Sequence, residues 1–109
     1  MLVFALACLL SLVGVASAEA GCYDVFGCTN ASRFRMDDLM SGPNCEFLYT
    51  MRNAIFAEHG YCFHTERGRA TFGNQGCLTG DANALGLNPT ERYNAQTILA
   101  AERAKGCVE

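Results

Sequence analysis

The side chains with the widest chemical repertoire in this chain gather in one stretch: Arg52, Asn53, Glu58, His59 and His64. Glu58 and His59 have the makings of a proton-transfer pair, and His59 with His64 those of a metal site. Spacing speaks against both. Adjacent helical residues diverge by about 100°, so Glu58 and His59 do not face each other. His59 and His64 straddle Gly60 at i+5, whereas a metal pair on one helix face needs i+4. A nucleophile is also missing, because no serine sits in a G-x-S-x-G context and every cysteine after residue 18 has a prospective partner. No catalytic residue, metal or cofactor is therefore expected. For His59 the plain expectation is a helix-end side chain that hydrogen-bonds the last carbonyls.

Arginine outnumbers lysine seven to one, and Arg33, Arg35, Arg67 and Arg69 lie outside the two strongest helical patterns. Guanidinium groups bind planar anions bidentately, which admits a phosphate or carboxylate ligand; the ordinary role of such side chains is a solvated surface. The net charge of −3 argues against nucleic acid as a partner. Asn30-Ala31-Ser32 matches a glycosylation sequon, which matters only in a host with that machinery.

Seven cysteines and 50% hydrophobic residues in 109 describe two different things. Fifteen of the first 18 residues are hydrophobic, none is charged, and the run ends in Ala16-Ser17-Ala18. Residues 1–18 are expected to be a secretory signal peptide, although no Lys or Arg precedes the apolar run. The cut could also follow Ala20, since Ala18-Glu19-Ala20 fits the same rule. Cleavage removes Cys8 and leaves Cys22, Cys28, Cys45, Cys62, Cys77 and Cys107, an even set that implies three disulfides in an exported domain with no stable membrane span. No C-x-x-C pair occurs, so zinc and thioredoxin-like chemistry are not expected. A chain this short is one small domain, and each bridge adds roughly 2–4 kcal/mol to a modest core.

Two helical patterns must position the polar stretch. The first follows Pro43-Asn44 and runs through CEFLYTMRNAIFAEHG, with Leu48, Met51 and Ile55 on one line and Gly60 as a left-handed stop. Tyr49, Arg52, Phe56 and His59 form a second line, so this helix is expected at the centre, contacted on two sides. The second opens at Asn88-Pro89-Thr90-Glu91, a capping-box signature, and closes at Gly106. Its narrow apolar stripe includes Asn94 and Glu102 beside Ile98, and a buried carboxylate needs a partner. Helical phase alone predicts that Glu102 or Asn94 meets Arg52. Thr65 to Phe72 reads as a short capped helix weakened by Gly68, RFRMDDLM as one short helix or turn, and GNQGCLTGDANALGL as irregular loop. No segment alternates with period two, so no sheet is expected.

The residues CEFLYTMRNAIFAEHGYCF resemble the YARHG domain of exported bacterial proteins. Leu48 fits the leading position of that family's motif, and Arg52, Asn53, Ile55, Ala57, His59, Gly60, Tyr61 and Phe63 match it, while Phe56 stands for Tyr and Glu58 for Arg. Phe72 resembles the aromatic that follows, and Leu87-Asn88-Pro89-Thr90-Glu91 with Asn94, Ile98 and Glu102 looks like the closing helix. The Trp-Tyr pair often found after the short helix is absent, and Cys45, Cys62, Cys77 and Cys107 are additions that point to a disulfide-rich branch or a neighbouring family. The resemblance implies an all-helical, non-catalytic module, with a proposed role near peptidoglycan, envelope lipid or lipopolysaccharide, and gives no catalytic residues to carry over. On physical grounds the motif, Arg52, Asn53, Ile55, His59, Gly60, Tyr61 and Phe63, reads as architecture.

The expected molecule is therefore an all-α domain with long irregular loops: a leader over 1–18, an extension over 19–38 and the helical domain over 39–107. Six cysteines allow fifteen pairings. Cys62 with Cys77 would tie the turn after the first long helix to the loop after the short one. Cys45 with Cys107 follows if the two long helices pack antiparallel, and Cys22 with Cys28 remains. The expected function is an exported, periplasmic or extracellular binding or accessory module for an unidentified envelope component or protein. The alternative is a small secreted hydrolase, hydrolase inhibitor or toxin.

Overall fold

The computed structural model describes residues 21–108. The leader and both candidate cleavage sites lie outside the described residues. In chain order the elements are a hairpin of β1 (Cys22–Tyr23) and β2 (Gly27–Cys28), then α1 (Met36–Ser41), α2 (Cys45–Glu58), α3 (Glu66–Phe72), a 3-10 turn at Ala82–Ala84, and α4 (Pro89–Ala104). The fold is mostly helical, and the small antiparallel sheet corrects the all-α expectation. Strands of two residues are too short to carry a period-two pattern. They pair because Cys22 faces Cys28 in register and a disulfide joins them, with Cα atoms 3.8 Å apart.

Local sequence signals set the ends of both long helices. Asn44 caps α2, its side-chain oxygen accepting the Phe47 N–H at 2.8 Å. Beyond the end of α2, Gly60 takes φ +87°; its N–H donates to the Ala57 carbonyl and the Tyr61 N–H to that of Phe56, a Schellman closure. α4 opens with the capping box, in which the Glu91 N–H donates to Asn88 Oδ1 and the Asn88 N–H to Glu91 Oε1. It closes in the same way as α2, with Gly106 at φ +76° and the Cys107 N–H donating to the Glu102 carbonyl.

The two long helices run antiparallel, because their opposite ends are joined. Cys45 at the start of α2 is bonded to Cys107 past the end of α4, and His59 at the end of α2 touches Glu91 in the first turn of α4. Between those ties Leu48, Met51 and Ile55 pack with Ile98 and Ala101, each at most 1% exposed, and with Phe34, Leu39, Leu85 and Leu87 around them. Each large aliphatic side chain buried this way contributes about 1.5–3 kcal/mol. The polar positions on the α4 stripe are fully buried and both are satisfied. Arg52 Nε and Nη2 donate to the two carboxylate oxygens of Glu102, the second at 3.2 Å. Asn94 turns the other way: its oxygen accepts the Phe34 N–H at 2.8 Å, and its amide donates to the Thr29 and Ser32 carbonyls at 2.9 and 2.7 Å. That clamp fixes the chain between the hairpin and α1, and Tyr23 and Phe26 then lie against Phe34.

The loop after α3 folds back on the turn after α2. Leu78 N–H donates to the Gly60 carbonyl and Cys62 N–H to that of Thr79, with the Cys62–Cys77 disulfide across them. Asn74 pairs with both backbone groups of Phe63, accepting its N–H at 2.7 Å and donating to its carbonyl at 3.0 Å. The three disulfides are therefore Cys22–Cys28, Cys45–Cys107 and Cys62–Cys77.

Candidate functional site

The polar stretch read from the sequence divides into two groups with different partners. His59 and Glu58 lie at the end of α2 that faces the start of α4. The His59 ring does not cap the helix carbonyls: its Nε2 meets Glu91 Oε2 at 2.9 Å, while the helix end is closed by backbone N–H groups. This corrects the expected role of His59, and the reason is the Schellman turn, which already satisfies those carbonyls. Glu58 points elsewhere. Burial pushes its carboxyl above the ordinary glutamate value, the Glu91 carboxylate adds to the rise, and His59 opposes it. Residue 58 as a whole is nevertheless exposed. The Tyr23 phenol is pushed up as well, by burial first and by the Glu58 charge second.

The other group converges on a cleft of about 220 Å³. α2 supplies Tyr49, Arg52 and Asn53, the turn after it Tyr61, Phe63, His64 and Thr65, and α3 Arg67. Each wall is held from behind. Arg52 is anchored by Glu102, and Asn53 Nδ2 donates to the Tyr49 carbonyl at 3.0 Å. The Arg67 guanidinium lies 3.5 Å above the Tyr49 ring centre and donates to Glu46 Oε1 at 3.0 Å. Tyr61 meets Phe63 edge to face at 4.9 Å, and Phe63 stacks on Phe72 at 5.1 Å. Packing of Phe63 against α3 requires Gly68, since a Cβ there would stand 2.7 Å from the ring. The His64 ring is turned to the Gly80 carbonyl at 2.9 Å.

His59 and His64 thus have separate partners. Among the described residues no three His, Cys, Asp or Glu side chains come together as metal ligands. Of the motif positions, Arg52, Asn53, Tyr61 and Phe63 line the cleft, Ile55 is core, Gly60 makes the stop, and His59 ties two helix ends. Tyr49 is a cleft residue that sequence reading leaves out of the site, and Arg67, one of the four arginines read as able to take an anion, is brought to the same cleft. Tyr49 shares the second helical line with Arg52, so its side was legible; Arg67 comes from another element and carried no signal beyond being an arginine. What the cleft presents is aromatic surface beside guanidinium, amide, hydroxyl and imidazole groups. A different surface lies by the hairpin tip, a shallow groove of about 380 Å³ in which Val25, Phe26, Pro43 and Phe47 dominate.

Among the described residues no helix is long and apolar enough to cross a membrane. No curated protein and no solved structure matches the chain. A family model, the YARHG domain, matches residues 27–103, starting within the hairpin and ending within α4, so that both the cleft and the His59–Glu91 tie fall inside it. With well over half of its length matched, the chain belongs to the YARHG domain family.

Proposed function

We propose that this protein is an exported, non-catalytic binding module of the cell envelope and that its cleft holds one hydroxylated ring bearing negative charge. Acidic and phosphorylated sugars of lipopolysaccharide, phosphorylated sugar head groups of lipids, and muramic acid units of peptidoglycan fragments whose lactyl carboxylate is free share that chemistry. The observation that carries the reading is the convergence of Arg52, Asn53, Tyr61 and Phe63, four motif residues from two elements, on one cleft with Arg67 opposite. A volume of about 220 Å³ is below the 300–1,000 Å³ of pockets that enclose drug-sized ligands, which suits a single ring. Aromatic faces take the apolar face of such a ring, while guanidinium and amide donors take its oxygens and its charge.

Titration of oxidised, isotopically labelled protein with peptidoglycan fragments and with core saccharides of lipopolysaccharide tests this. Amide shifts should centre on residues 49–53 and 61–67. Tyr61→Ala and Arg67→Ala should each weaken binding about tenfold, the loss of roughly 1.4 kcal/mol. His59→Gln, at a side chain that does not line the cleft, should leave binding intact. Shifts mapping to Val25, Phe26 and Phe47 instead would replace the cleft by the apolar groove as the binding surface. Turnover of the saccharide, abolished by His59→Gln, would replace the binding reading with the hydrolase one.

A further inference from the structure

Gly21 is the first described residue, and it is held firmly. Its carbonyl accepts the Thr29 N–H at 2.8 Å, extending the hairpin pairing by one step beyond the Cys22–Cys28 disulfide. Its backbone takes φ +81°, and a Cβ at this position would stand 2.9 Å from Thr29 Oγ1 and 3.4 Å from each carboxylate oxygen of Glu58. The Glu58 carboxylate therefore lies directly beside the Gly21 Cα. Nitrogen and Cβ on one Cα are about 2.5 Å apart, so the Gly21 nitrogen is within about 6 Å of both oxygens.

No hydrogen bond or ion pair reaches Glu58 among the described residues. The groups that face it are Glu91 from α4, Tyr23 from β1 and its neighbour His59, whose ring is committed to Glu91. This is a carboxylate beside a second carboxylate, and burial and Glu91 together hold its pKa up. A cation placed here would relieve both.

We propose that signal peptidase cuts after Ala20, that Gly21 is the first residue of the mature protein, and that its new α-ammonium pairs with Glu58. Water adds across the Ala20–Gly21 peptide bond: the alanine leaves as a carboxylate, and the glycine nitrogen takes up protons to become an ammonium. Ala18-Glu19-Ala20 presents the small residues such a cut needs. The proposal rests on the export part of the reading above and is independent of the cleft.

The full chain, expressed with its own leader and recovered from an oxidising compartment, should by intact mass and N-terminal sequencing begin Gly-Cys-Tyr. A product beginning Glu-Ala-Gly overturns the proposal and leaves export standing; an uncleaved product overturns both. In the processed protein the Gly21 α-amine, followed by nitrogen-15 NMR against pH, should titrate above the ordinary terminal range, and Glu58→Gln should bring it down by roughly half a pH unit. An amine whose titration is the same with Glu58→Gln overturns the ion pair.

Discussion

The guanidinium of Arg52, on the cleft side of α2, grips both oxygens of the Glu102 carboxylate, which is wholly buried beneath it in α4. One face of Arg52 thus looks into the cleft while its donors hold the helix seam closed. The pair couples the site to the core.

Removing one partner leaves the other charge buried and unpaired, which costs about 3–5 kcal/mol. Arg52→Met is therefore expected to lower stability by about 3 kcal/mol, at the lower end because Arg52 keeps 14% of its side chain exposed. Arg52→Met combined with Glu102→Leu should recover most of that loss, since an apolar pair of similar volume suits the seam. Urea unfolding of the two singles and the double measures the cycle. Singles as stable as the parent would mean that the pair contributes nothing.

Gly68 looks from sequence like a flaw in a short helix, because alanine there would be favoured by about 1 kcal/mol in an isolated helix. The structure reverses the sign. The added Cβ would meet Phe63 at 2.7 Å, and Phe63 cannot give way, being buried and stacked on Phe72. Gly68→Ala should destabilise by about 1–3 kcal/mol, the range for overpacking. It should also displace the Tyr61 and Phe63 signals in NMR spectra, since the cleft wall must move. A gain in thermal stability would contradict the packing of Phe63 on α3.

How much of this was legible in the sequence follows from the range of each interaction. Both long helices, their caps and their glycine stops are encoded within a few residues, and periodicity placed Leu48, Met51, Ile55 and Ile98 inside. Phase within α4 even marked Glu102 and Asn94 as buried polar positions, one of which had to meet Arg52; the structure gives that place to Glu102. The hairpin escaped because two-residue strands have no period; it is held by a disulfide and by Asn94, whose partners are sixty or more residues away in sequence. His59 was misjudged because a cap side chain and a tie to Glu91 look alike until the backbone closure is seen. The cleft was only half visible: its α2 side lies on one helical line, but Arg67 joins it by folding.

Asn94 carries the attachment of the N-terminal hairpin. Asn94→Ala strands the Phe34 N–H and the Thr29 and Ser32 carbonyls, and unsatisfied buried groups cost about 1–3 kcal/mol each. Water reaching part of the gap offsets some of that, so an overall loss of about 3 kcal/mol is expected. Hydrogen exchange should accelerate at the Phe34 amide before it does so at Ile55. Uniform acceleration across both would show that the hairpin has no independent attachment to lose.

The three disulfides should not be equivalent. The loops they close span 62, 15 and 6 residues of separation for Cys45–Cys107, Cys62–Cys77 and Cys22–Cys28. In the chain-entropy description these correspond to about 4, 3 and 2 kcal/mol of stabilisation through the unfolded state. Paired serine replacements should lower stability in that order, and Cys45→Ser with Cys107→Ser should be the most damaging, because it also frees the start of α2 from the end of α4. Urea midpoints of the three double variants supply the ranking. The informative exception would be Cys22–Cys28: a cost approaching that of Cys45–Cys107 exceeds what closing six residues can provide. The excess would have to come from the native state, where the hairpin bridge keeps Gly21 beside Glu58 and Phe26 against Phe34.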